Sequence, residues 1–87
     1  MNQRCLPAER DRAHRAARAM ERAHTAVLSA DVLAPDVDPS NRWTVEATLA
    51  GRETVPSAVL QAVVEHDLDV LEAGPRAPDV LRVVAVV

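Results

Sequence analysis

The feature that most constrains this chain is an absence: between Pro7 and Leu33 no glycine and no further proline interrupts a run dense in Ala and Arg. Ala and Arg are strong helix formers, and a proline is tolerated at a first helical position, where its missing N–H would have no intrahelical partner. The run predicts one long helix over residues 7–34. Ala13, Ala16, Met20, Ala23, Val27, Ala30 and Ala34 recur along it at alternating steps of three and four, which places them on a single stripe. That stripe is expected to be covered.

What covers it is limited by its chemistry. An Ala in place of a Leu at a helix seam forgoes about 2 kcal/mol, at ~0.8 kcal/mol per buried carbon, so an autonomous coiled coil is not expected. Small side chains instead let the helix approach a sheet, or a second copy of itself, closely. At ~1.5 Å per residue the helix would be about 40 Å long, whereas a strand of ordinary length covers roughly 23 Å. The helix therefore overhangs any sheet this chain can build. The interaction stripe Ala13, Ala16, Met20, Ala23 and Val27 is accordingly expected to seat a partner, most simply in a homodimer.

The remainder reads as a β-α-β-β unit over residues 42–87, joined to the helix by a Pro- and Asp-containing connection over residues 35–41. Trp43, Val45, Ala47 and Leu49 alternate with Thr44, Glu46 and Thr48, the period of a half-buried strand. Pro56 and Ser57 open a short helix running to about His66, with Val55, Val59, Leu60, Val63 and Val64 as its buried side. Leu68 to Ala73 predicts a second strand and Gly74 to Pro78 a turn. Val80 to Val87 has Arg82 as its one polar residue, so this third strand is apolar on both faces and belongs in the interior of its sheet. The expected fold is thus a single α+β domain over residues 1–87. It has a long N-terminal helix, then a split β-α-β-β unit whose three-stranded sheet has order 1-3-2, with helices on one face.

Charge is divided along the chain. Residues 1–24 hold six Arg against three acids, +3, while residues 25–87 hold four Arg against ten acids, −6. With Ala13 on the covered stripe, Arg15, Arg18 and Arg22 fall on the outward side, where they could meet an anionic partner or the phosphates of a nucleic acid. Asp11 stands four before Arg15 and Glu21 three after Arg18, spacings that favour ion pairs along a solvated helix surface. A solvated face is the first reading, a protein contact the second, and nucleic acid the third.

Other chemistry finds little footing. The single Cys5 excludes a disulfide within the chain and fits a reducing compartment. No run approaches a membrane span, and no apolar h-region opens the sequence, so no membrane is expected and the cytoplasm is the expected location. His14, His24 and His66 have no metal-ligand spacing with one another or with Cys5, and Asp36 and Asp38 lack the rest of a calcium loop. Glu65, His66 and Asp67 are adjacent, so they diverge rather than converge as a triad does, and no nucleophile accompanies them. The expectation is a non-enzymatic interaction or regulatory module without a cofactor, self-associating through the long helix. The alternative is a nucleic-acid-associated regulator using the Arg-rich face.

Overall fold

In the computed structural model, which describes residues 5–36, 41–51 and 53–87 and side chains from residue 8 onward, the run read as one helix divides in two. Helix α1 spans Cys5–Ala23 and strand β1 spans Val27–Leu33. The chain turns over residues 24–26: the Ala26 N–H donates to His24 Nδ1 at 3.0 Å, and the Val27 N–H donates to the His24 carbonyl at 3.2 Å. The expected helix over residues 7–34 is therefore corrected to a helix and a strand. Val27 and Ala30, members of the helical stripe, are also strand residues that pair with the inward-facing Leu49 and Ala47. Over so short an apolar stretch the two periods share residues, and the unpaired edge of the next strand decides between them.

Beyond β1 come β2 (Thr44–Ala50), α2 (Ser57–Glu65), β3 (Asp69–Ala77) and β4 (Val80–Val86). The sheet has four strands in the order β1-β2-β4-β3, each antiparallel to its neighbours. The expected three-stranded sheet is corrected accordingly, since β1, built from residues whose periodicity predicts helix, adds a strand on the β2 side. β4 lies inside the sheet, and β2 and β3 run parallel to one another with β4 between them. The turn expected over residues 74–78 is mostly strand: β3 continues to Ala77 through Pro75, which an edge strand tolerates at a bulge, and the register shifts there between Pro75 and Ala77. Residues 37–40 of the expected connection lie outside the described residues.

The core lies on one face of the sheet. Val45, Ala47 and Leu49 of β2 pair with Ala85, Val83 and Leu81 of β4, and all six are buried with Ala13, Ala16, Ala17 and Met20 of α1 and Val59, Ala62 and Val63 of α2. Each fully buried Val, Leu or Met contributes about 1.5–3 kcal/mol relative to exposure. Helix α1 lies against β1, β2 and α2, so its alanines allow close approach on two sides. Val64, expected on the covered side of α2, is exposed instead.

Among the described residues the opposite face carries no helix, yet Thr44, Val84 and Val86 are buried there. Register places two arginines across it. Arg42 donates through Nε (2.8 Å) and Nη2 to the main-chain oxygen of Val87, and its Nη2 lies 3.6 Å from Asp69 on β3. Because β4 separates β2 from β3, this arm crosses the end of β4, where Val86 pairs with both Thr44 and Asp69. Arg82 pairs with Glu46 at 3.5 Å and Glu72 at 3.7 Å, and both acids sit opposite Val84. Both arginine arms thus reach across β4 on the open face, Arg42 at its Val86 end and Arg82 beside Val84.

Candidate anion-binding face

The 19-residue helix α1 has two sides of opposite character. Ala13, Ala16, Ala17 and Met20, at steps of three, one and three, point into the core. At 100° per residue the opposite direction falls among Asp11, Arg15, Arg18 and Arg22, and all four are exposed. Arg15, Arg18 and Arg22 lie within about 60° of one another around the axis and span about 10 Å along it. Arg10 and His14 flank them, and an open groove of ≈ 420 Å³ runs between Arg10, Asp11, His14, Arg15 and Arg18.

The ion pairs that the spacing favours do not form. Among the described residues, no ion pair within 4.0 Å joins Arg10, Arg15, Arg18 or Arg22 to Asp11, Glu21 or any other acid. The guanidinium groups of this row keep their donors free, whereas Arg42 and Arg82 on the sheet are held by carboxylates. Arg12 stands apart from the row: it is half-buried, and its Nε is shielded from solvent without a hydrogen-bond partner.

The other sequence-identified residues are distributed across the fold. The interaction stripe does not reach the surface: Ala13, Ala16 and Met20 are fully buried in the chain's own core, Ala23 packs against that core, and Val27 belongs to β1. The self-association surface expected there is occupied by α2 and the sheet of the same molecule. Trp43 packs on the core edge beside a cavity of ≈ 230 Å³ lined by Glu9, Pro35, Asn41, Arg42 and Val87, and its Nε1 has no hydrogen-bond partner. His66 caps α2, with Nδ1 2.8 Å from the Ala62 carbonyl, while Glu65 and Asp67 point to solvent beside it. His24 serves the turn after α1. No group of three or more His, Cys, Asp or Glu suited to a metal ion occurs among the described residues. The side chain of Cys5, and Asp38, lie outside them.

Sequence reasoning missed the roles of Arg42 and Arg82. The available signal was Arg82 itself, the one polar residue in an apolar strand, between a Glu on β2 and a Glu on β3. Comparison with family models finds no match, and comparisons with curated proteins and with solved structures return none either. No helix among the described residues is long and apolar enough to cross a membrane.

Proposed function

We propose that this chain is a non-enzymatic binding module whose contact surface is the outward face of α1, and that the groups this face fits are the phosphates of a nucleic acid. The observation that carries the reading is the row Arg15, Arg18 and Arg22, exposed, aligned and free of intramolecular carboxylates, with Arg10 and His14 beside it. A permanently charged, planar guanidinium can offer two parallel N–H donors to a phosphate. The row spans about 10 Å, the rise of about three base pairs. No Phe, Tyr or Trp lines the groove, so contacts would mainly position the chain on the backbone without selecting a sequence.

The net charge of −3 keeps such binding weak, because residues 25–87 carry ten acids against four Arg. Fluorescence anisotropy with a labelled duplex tests the reading. Three phosphate contacts give a slope near −2.7 in log K against log salt, or about 40-fold weaker binding between 50 and 200 mM. Arg15→Glu, Arg18→Glu and Arg22→Glu together are expected to remove binding while leaving the circular dichroism of the fold in place. Absence of binding at 50 mM salt, or binding indifferent to the triple substitution, overturns it. If the triple substitution instead abolishes capture of an acidic protein and the duplex is ignored, the same face serves a protein partner.

A further inference from the structure

Among the described residues the sheet has two unpaired edges, β1 and β3, and they are not equally closed. β3 shifts register between Val70 and Glu72 and again between Pro75 and Ala77, and Pro75 has no N–H to offer a neighbour. β1 shifts once, between Val27 and Ser29, and then runs regularly from Ser29 to Leu33. The ladder fixes which of its main-chain groups face outward. The Val87 N–H donates to the Trp43 carbonyl at 3.0 Å, so odd-numbered residues of β2 bond β4 and even-numbered ones bond β1; the bond from Ala50 N–H to the Ala26 carbonyl, 2.8 Å, agrees. Thr44, Glu46 and Thr48 face Leu33, Asp31 and Ser29. The N–H and C=O groups of Ala30 and Val32 are therefore turned to the free edge.

We infer that a second copy of this chain pairs antiparallel with β1 about a two-fold axis at Ala30. The side chains choose among the two-fold registers. An axis at Asp31 sets two carboxylates against each other in a non-hydrogen-bonded pair, where Cα atoms approach to about 4.5 Å and like charges repel. An axis at Val32 sets each Asp31 against a Leu33. An axis at Ala30 sets each Asp31 against the Ser29 of the second copy, whose hydroxyl can donate to the carboxylate, and the two Ala30 residues exchange both main-chain bonds. It also brings Leu28, 65% exposed and at the register shift that ends the regular run, close to the second copy's Val32.

Such a contact is isologous and closed, and it joins two four-stranded sheets into one. Because the axis is perpendicular to the sheet, both α1 helices lie on the same side with their Arg rows facing the same way. The edge is short, so the interface falls below about 1,200 Å² and the dimer is weak and concentration-dependent.

Sedimentation equilibrium up to about 100 μM reads the association directly, and Leu28→Lys is expected to weaken it at least about tenfold. Register is read by mixing Ser29→Cys chains with Asp31→Cys chains, both carrying Cys5→Ser. The paired positions lie within disulfide reach, so the mixture is expected to cross-link in clear excess over either chain alone. The mass of one chain at every concentration overturns the inference, as does a mixture that fails to cross-link or a single variant that cross-links as readily with itself. These readouts do not involve nucleic acid, so their failure leaves the proposal for the Arg row standing.

Discussion

On the helix side of the sheet, Val45, Ala47, Leu49, Leu81, Val83 and Ala85 lie under α1 and α2; on the other side Thr44, Val84 and Val86 are buried as well, with no helix over them. The first group is covered by close-packed apolar side chains. The second is crossed by Arg42 and Arg82, whose heads are held by Asp69, Glu46 and Glu72. Long cationic side chains anchored at their far ends can shield apolar residues with their stems.

The comparison makes the helix side the more sensitive. Met20 is fully buried between α1 and the sheet, and Met20→Ala is expected to lower stability by about 2–5 kcal/mol in urea unfolding. A loss below about 1 kcal/mol would mean that α1 is loosely seated. Overpacking tests the same seam from the other direction: Ala16→Leu inserts a larger side chain where α1 is fully buried and is expected to cost about 1–3 kcal/mol. Gly51 leaves β2 with φ +155°, and a Cβ there would sit 3.0 Å from Leu81 Cδ1. Gly51→Ala is expected to cost about 1–3 kcal/mol through backbone strain and that contact, read as a lowered urea midpoint.

Effects on the open face are expected to be smaller, and they separate stem from head. Arg82→Ala removes both the cover over Val84 and the pairs with Glu46 and Glu72, for a loss of about 1 kcal/mol. Arg82→Met keeps most of the cover and removes the charge, so it is expected to retain more than half of that stability. If Arg82→Met is as damaging as Arg82→Ala, the ion pairs matter more than the stem and the comparison between the two faces fails.

Much of this fold was legible because its periods are clean. The alternation from Trp43 to Leu49, the two-faced apolarity of β4 and the Pro56-Ser57 opening of α2 each correspond to an observed element. The stretch from His24 to Leu33 was not legible. Val27 and Ala30 satisfy a helical stripe and a strand face equally, and local propensity cannot register that an adjacent edge strand lacks partners. The Arg row was visible as a pattern, but its freedom from Asp11 and Glu21 was not, because spacing permits an ion pair without deciding the rotamers that would make it.

Composition and periodicity alone set the class of this protein, the small-residue face of α1, the outward Arg15, Arg18 and Arg22, and the apolar character of β4. Those properties depend on residues near one another in sequence. Tertiary structure alone decided that the helix ends at Ala23, that β1 completes a four-stranded sheet, and that the alanine stripe meets its own core. The physical reason is that an unpaired strand edge and an uncovered apolar face can be satisfied only by residues distant in the chain.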